Sequence, residues 1–381
     1  MKTFDIAFIG AGASALMCAS GIKNQSIALI ESSQTLAPKI RISGGGKCNF
    51  TNHDISETHY RGDAKAIKKC FASFNQKDLL AFFQKEDLSY ERRDHGKYFC
   101  KNSAKDIIKI FSQLTKHCDM LLNHTVKEVT YEDDFIIETN QGTIHAKRLV
   151  VASGGLSYAS VGASDIGFKI AQSFGHTIIK PQPALVGLTV QKDQFWMKSL
   201  SGISLLVSLQ VGEKIFKDQL LFTHKGISGP AVLSGSLYWE KGTIMIDFLP
   251  EVRIAKLIAK KSDKQISSLL PLPKRFIKEY LKSVDLDDVP IKRLTPQEIE
   301  KLTKLHHYEL PPAGNFGYTK AEVTRGGVDT SEMNMDTFES LKKKDLYFIG
   351  EVLNVTGELG GYNFQWAFSS AKVLAEYLTK R

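Results

Sequence analysis

Three groups of residues in this 381-residue chain have the types and spacing to do chemistry. The first is Gly10-x-Gly12-x-x-Ala15, with Glu31 following about 20 residues on. Gly10 permits a tight turn, Gly12 lets the backbone approach a pyrophosphate, and Ala15 lets a helix lie near a strand. The phosphates then meet a helix N-terminus, and Glu31 can bond ribose hydroxyls. The second is the loop Lys39-Ile-Arg-Ile-Ser43-Gly44-Gly45-Gly46-Lys47-Cys48-Asn49. It is not a Walker A loop, because Arg41 stands where the first glycine is needed and Cys48 replaces Ser or Thr. Its glycines instead let backbone approach a flat ring or a phosphate, and Lys47 is placed to offset negative charge there. The third is Gly350-Glu351 followed by Gly357-Glu-Leu-Gly360-Gly361-Tyr362-Asn363-Phe-Gln365. A helix beginning near Asn363 would turn its positive end toward whatever the glycines admit.

The elements needed to position these groups are legible around them. An apolar strand, Ile6 to Ile9, precedes Gly10, a helical stretch follows, and a second strand, Ser26 to Ile30, ends at Glu31. Helical patterns cover 63–73, 76–86 and 103–117, a hairpin turns at Asp94-His95-Gly96, and strands are expected at 123–131, 134–139 and 143–151. The last of these ends in Val151-Ala152-Ser153-Gly154-Gly155, small residues that leave backbone open to a ligand. Asp165 is a plausible N-cap for the helix after it. From 186 to 248 short alternating strands suggest an antiparallel sheet or barrel, and 252–306 reads as helical, divided by prolines. Strand character returns near Thr319, Leu346 to Glu351 is a buried strand ending in an acid, and 363–379 is a final helix.

The expected fold class is therefore α/β. A Rossmann-like domain is made of residues 1–184 and 320–381. It is interrupted by a small antiparallel, barrel-like β domain at 185–250 and a helical part at 251–319. A bare dinucleotide fold serves NAD or FAD. FAD is favoured because it is long and draws on several strand ends, and here those ends include Gly154 and, more than 300 residues after Gly10, Gly350-Glu351.

Composition narrows the classes. Charged residues are 24% and the hydrophobic set is 43%, as in globular domains. No apolar run is long enough to span a membrane, and the N-terminus has no signal-peptide pattern. The five cysteines are scattered with no C-x-x-C pair, which argues against a thiol–disulfide reductase or structural zinc site; no metal site is expected, and a reducing cytoplasm is the expected location. Net charge is +9, and residues 186–325 carry +6 of it, 21 Lys/Arg against 15 Asp/Glu. An excess of that kind suits an anionic partner such as RNA, or is a generic basic surface.

The stretches Gly10–Ala15, Ser43–Asn52, Ala152–Gly155, Leu221-Phe-Thr-His-Lys-Gly-Ile-Ser-Gly-Pro230 and Gly350–Gln365 together resemble the BaiN-like, YhiN-type bacterial NAD(P)/FAD-dependent oxidoreductases, in the family's order and nearly end to end. The resemblance implies an FAD-binding Rossmann-like domain interrupted by a substrate domain with a β-barrel and a helical part. It places Gly10, Gly12, Ala13, Ser14 and Glu31 on the ADP half, and Ser43 to Asn49, Gly350, Glu351, Gly361, Tyr362 and Asn363 around the flavin. Ser32, Lys39, Val126, Ala152, Ser153, Gly154 and Asp165 complete the expected cofactor-binding set. Lys47 stands where the family usually has Arg, and Asn354 where it often has Asp.

The family's reactions differ between members and include reduction of conjugated C=C bonds, in a bile-acid-type enone and in uridine of ribosomal RNA. Three readings follow. One is an NAD(P)H-linked reductase giving dihydrouridine in RNA, drawing on the basic run Lys256, Lys260, Lys261, Lys264, Lys274, Arg275, Lys278 and Lys282, the first four spaced so that several can share a helical face. Another is a flavoenzyme acting on a small enone or amine, and the third is a non-enzymatic flavin-dependent binding protein. Cys48 and His224 are the candidate proton donors, by chemistry and loop position.

Overall fold

A computed structural model describes residues 3–381 and divides the chain into two compact units, Met1–Pro183 with Glu322–Arg381, and Ala184–Ala321.

The first unit is built on a nine-stranded sheet. Its centre is parallel: Thr3–Ile9 lies between Ile27–Ile30 and Gly142–Val151, Asp119–Leu121 pairs outside Ile27–Ile30, and Leu346–Phe348 pairs on the other side of Gly142–Val151. Ile6, Phe8, Leu29, Val150 and Phe348 are completely buried, which is why these strands read as continuous apolar runs rather than alternating ones. The crossover from Thr3–Ile9 to Ile27–Ile30 is the helix Ala13–Gly21. A second helix, Tyr362–Thr379, packs against it so closely that a Cβ on Gly21 would stand 3.1 Å from that of Ala375. An antiparallel pair, Val126–Tyr131 and Phe135–Thr139, extends from the first half of Gly142–Val151. The short edge strand Asp119–Leu121 escapes a reading of the sequence, because three half-exposed residues carry no periodicity.

The second unit holds a seven-stranded sheet whose recorded pairs are antiparallel, with spatial order 308–310, 244–247, 204–211, 214–223, 226–228, 188–190, 312–315. The order runs as a path from one end strand to the other, an antiparallel sheet as the alternation over 186–248 suggested. Alternation along Ser204–Val211 buries Leu205, Val207 and Leu209 on one face. Those side chains share one core with Phe222, Phe248, Phe276 and Tyr280. The helical part expected at 251–319 is thus not separate from the β part. It supplies two strands to the sheet, Tyr308–Leu310 and Pro312–Asn315, and short helices to the same core. Its first helix ends at Ile258, so Lys260, Lys261 and Lys264 do not share a helical face with Lys256; all four are exposed, the last three on the turns that follow.

Candidate functional site

In the first unit, the groups singled out by the sequence converge at the carboxyl ends of the parallel strands, where open α/β sheets bind ligands. Gly10, at φ +98°, is pressed against Ala152, whose carbonyl oxygen would lie 2.7 Å from any Cβ there. Gly12 is the opposite case, since a Cβ at that position would meet nothing within 4 Å. It is the N-cap of Ala13–Gly21, has no side chain to cap the helix, and no acid occupies the first turn. The donors of that turn are thus free to meet an anion.

Glu31 is 8% exposed and held on both oxygens: Oε2 accepts from Ala11 N at 3.0 Å and Oε1 from Ser33 N at 2.9 Å. Ser32 Oγ lies 3.4 Å from Oε1. The carboxylate is fixed in orientation with lone pairs remaining for ribose hydroxyls. Beside it, His124 N donates to the Glu31 carbonyl, which brings the start of the strand Val126–Tyr131 toward the same end.

The Ser43–Gly46 loop is a turn of backbone in the left-handed region: Gly44 at φ +54°, Gly45 at +65°, Gly46 at +83° and even Cys48 at +43°. Gly45 and Gly46 face open space, whereas a Cβ on Gly44 would stand 2.9 Å from Asn49 N. Lys47 does not turn inward; its Nζ donates to the Lys101 carbonyl at 3.1 Å. Cys48 is fully buried, and loss of solvent pushes its thiol pKa well up, which leaves it a poor source of protons. His224 belongs to the other unit, on the exposed turn between 214–223 and 226–228.

Gly350 is at φ +75°, with Ser14 Oγ 2.7 Å from where a Cβ would be. Its carbonyl accepts from Trp366 Nε1 at 3.0 Å and its N–H donates to Ser370 Oγ at 3.1 Å. Glu351 is shared between the Lys39 ammonium, 2.7 Å from Oε2, and Thr324 N, 3.0 Å from Oε1. Gly154 and Gly155 face this carboxylate, at 3.6 and 3.2 Å from their virtual Cβ positions. Ser153 lies at the same strand end, where its Oγ fills the space that a side chain at Gly167 would need.

The last helix begins at Tyr362, one residue earlier than expected. Gly361 precedes it at φ +94° with no capping side chain, and with its amide turned to suit, Asn49 accepts from Gly361 N at 3.0 Å. The Asn363 side chain is spent on the turn before it, accepting from Gly357 N and donating to the Gly357 carbonyl, each at 2.9 Å. It positions the loop. Asp165 occupies an N-cap position but caps nothing; its carboxylate is 3.1 Å from Lys169.

Three residues given no role from the sequence organise the site. Thr324, completely buried, accepts from Leu156 N and Ser157 N through Oγ1 while its N–H holds Glu351. Asn52 Nδ2 donates to the Gly360 carbonyl at 3.0 Å. Gln365 accepts from Thr51 Oγ1 at 2.5 Å and donates to Ser369 Oγ at 2.9 Å. Asn52 and Gln365 end the stretches Ser43–Asn52 and Gly350–Gln365, while Thr324, between Val323 and Arg325, leaves no signal in the sequence.

The arrangement fits a dinucleotide with an extended ring system. It offers an uncapped helix start beside open space, an anchored carboxylate, a left-handed glycine loop with two open faces, and a second uncapped helix start. Among the described residues no cluster of metal-ligating side chains is present, and no helix is long and apolar enough to cross a membrane.

A family model described as the HI0933-like protein Rossmann domain matches residues 4–377. A ribosomal RNA dihydrouridine synthase of Haemophilus influenzae is 36% identical over 395 residues, covering 98% of each chain. One of the same name from Escherichia coli is 35% identical over 398 residues, 99% of this chain and 98% of the other. A 3-dehydro-bile acid delta(4,6)-reductase of Clostridium scindens is 27% identical over 405 residues, 99% of both. Among solved structures, the quinol fumarate reductase of E. coli aligns with 100% of this chain and 70% of its own at a TM-score of 0.51 and 15% identity, a likeness of fold.

Proposed function

The chain belongs to the HI0933-like Rossmann family and is an FAD-dependent oxidoreductase, and from that premise we propose that it reduces the conjugated C=C bond of uridine in ribosomal RNA to give dihydrouridine. The observation that carries this reading is the end-to-end similarity, at 36% identity, to a ribosomal RNA dihydrouridine synthase. The +6 charge of residues 186–325 supports a polyanionic substrate.

In this reading the reduced flavin supplies a hydride, and NAD(P)H is its electron source. The chain's own residues bind and orient. Gly12 and the helix start after it take the pyrophosphate, and Glu31 takes the adenosine ribose. The Glu351 carboxylate, steadied by Lys39 and Thr324, would accept from the ribitol hydroxyls. The C5=C6 bond of uracil is conjugated to the C4 carbonyl, so hydride adds at C6 and a proton at C5.

The similarity to a bile acid delta(4,6)-reductase favours a second reading, a small conjugated enone, with the same bond chemistry. The two separate in one anaerobic experiment. Enzyme reduced with NAD(P)H is offered ribosomal RNA lacking dihydrouridine, or a conjugated steroid enone. Reoxidation of the flavin by RNA, with a uridine gaining two hydrogens by mass, supports the first reading. Reoxidation by the enone alone supports the second.

A further inference from the structure

The helix Lys274–Ser283 of the second unit is charged against its own stability. Phe276, Ile277, Tyr280 and Leu281 are buried on one side of it and fix which residues face water. On the other side Lys274, Lys278 and Lys282 stand four residues apart in one exposed stripe, with Arg275 beside the first. Like charges at that spacing repel. The first turn holds Lys274 and Arg275 and no acid, although the start of a helix favours negative charge. Glu279 is the one acid of the helix. Among the described residues the three lysines have no hydrogen-bond or ion-pair partner. Both arrangements cost the free protein stability, and a polyanion laid along the stripe relieves both.

The segment Lys192–Leu200 packs on this helix and brings an aromatic ring to its edge. Trp196 points inward, its ring centroid 5.9 Å from those of both Phe276 and Tyr280, and its Nε1 donates to the Tyr308 hydroxyl at 3.2 Å. Arg275 donates to the Ser199 carbonyl, which ties the start of the helix to the same segment. Phe195, the residue before Trp196, is left 45% exposed. Lys198 Nζ stands 3.2 Å from the centroid of its ring. Asp193, the acid of the segment, accepts from the Gln194 amide at 3.0 Å. Phe195 is thus a large ring kept in water beside a cation, on a segment anchored by its neighbours, and it takes no part in the core of the unit.

We propose that Phe195, Lys198, Arg275 and the stripe Lys274, Lys278 and Lys282 form a binding site for single-stranded RNA. An unpaired base stacks on the Phe195 ring, and the phosphates on either side of it lie against Lys198 and along the helix. Such a surface selects single strands, because an unstacked base offers a ring face and a duplex offers only its backbone. The i, i+4 spacing sets the lysines about 6 Å apart along the helix, so they line a backbone instead of clamping one phosphate. The +6 charge of residues 186–325 has the sign that such a strand needs. The inference takes its class of partner from the reading of the chain as an enzyme of ribosomal RNA, and it adds where on the second unit that partner is held.

The test uses full-length, FAD-loaded protein and a dye-labelled oligouridylate, with binding read by fluorescence anisotropy. The wild type is expected to bind, with affinity falling steeply as salt rises. Phe195→Ala is expected to weaken binding about 5- to 100-fold, the share of one stacked base, and to leave the salt slope unchanged. Phe195→Trp is expected to keep the affinity and to add an emission that the oligomer quenches. Lys278→Ala with Lys282→Ala is expected to lower the log–log salt slope by about 1.4, the counterions of two phosphates on a single strand. An RNA duplex is expected to bind Phe195→Ala as it binds wild type. All variants are expected to keep the wild-type FAD content and melting temperature. Phe195→Ala that binds oligouridylate within about twofold of wild type, or a double lysine variant with the wild-type slope, overturns the site. Wild-type protein that does not bind the oligomer overturns it too. Oligouridylate held at this surface by a protein whose reduced flavin no RNA reoxidises supports the site and overturns the dihydrouridine reading alone.

Discussion

Glu31 combines two duties at one carboxylate. It holds the Ala11 and Ser33 N–H groups, which fixes the turn after Gly10, and it presents its remaining lone pairs to a ribose. Glu31→Ala removes a charge-assisted hydrogen bond of about 1.5–3 kcal/mol. FAD affinity, measured by titrating apoprotein, is expected to fall about 10- to 150-fold; Glu31→Gln keeps part of it. A different kind of residue effect lies at His176, whose side chain is fully covered between Glu332 at 3.0 Å and Ser340 at 2.7 Å. Burial lowers its pKa from 6.5 despite Glu332. Burial also pushes Glu332 up, but hydrogen bonds from Lys342, Thr177 and His176 outweigh it and hold the carboxyl at about 2. Both groups take protons more readily in the unfolded chain. Stability is therefore full near neutral pH, starts to fall below pH 6.5, and falls again between 4.5 and about 2. The melting temperature is expected to decline from pH 7 to 5, and His176→Gln to remove the first part of that decline, at a cost of about 1–2 kcal/mol at pH 7.

Two glycines separate fold from ligand at the level of the element. Gly361 starts the last helix at φ +94°, and a Cβ there would overlap the Thr51 carbonyl. Gly361→Ala is expected to destabilise the protein by at least about 1–3 kcal/mol, read as a drop in the denaturant midpoint. Gly45 is also left-handed, at φ +65°, but opens onto empty space. Gly45→Ala is expected to cost about 1 kcal/mol in the apoprotein and to weaken FAD retention disproportionately. The same contrast explains what could be read beforehand. The strand, glycine turn, helix and acid of residues 6–31 are local, so a periodic pattern and fixed spacing announce them. The strands 142–151 and 346–348 were visible through the apolar segments Leu149–Val151 and Leu346–Phe348. Thr324, Asn52 and Gln365 were not visible, because each acts on a backbone group or side chain far away in sequence. Lys47 and Asp165, expected on the cofactor from their chemistry, are bonded here to the Lys101 carbonyl and the Lys169 ammonium. Alternation over 186–248 specified a half-buried antiparallel sheet and says nothing of whether it closes into a barrel.

At the scale of the whole molecule, the second unit has a core of its own, and the chain leaves and re-enters the first unit at one place. Asp329 N donates to the Thr177 carbonyl, and Gly326 is packed on the carbonyls of Ile179 and Lys180. This antiparallel pattern brings positions 183 and 322 together. Replacing 184–321 by a short glycine linker is therefore expected to leave a folded, yellow protein that binds FAD and reduces no substrate. If the second unit binds RNA through phosphates, the exposed Lys256, Lys260, Lys261 and Lys264 belong to that surface. In the intact protein, Lys260→Ala with Lys261→Ala is expected to lower the log–log salt slope of RNA binding by about 1.5, without changing FAD content. No change in slope would remove these lysines from the interface.

The pairing of the first helix with the last has a consequence for the order in which the molecule is made. Gln25 Nε2 donates to the Leu378 carbonyl at 3.0 Å and Thr379 Oγ1 to the Gly21 carbonyl at 3.2 Å, so the opening strand–helix–strand is closed by residues 353 and 358 positions further along the chain. On the ribosome, the phosphate-binding turn emerges first and waits without its partner helix while the whole inserted unit is translated. The insertion can be complete before the framework that carries it. A chain lacking the helix Tyr362–Thr379 is therefore expected to keep the dinucleotide motif and lose the ability to retain FAD, read as missing flavin absorbance after purification.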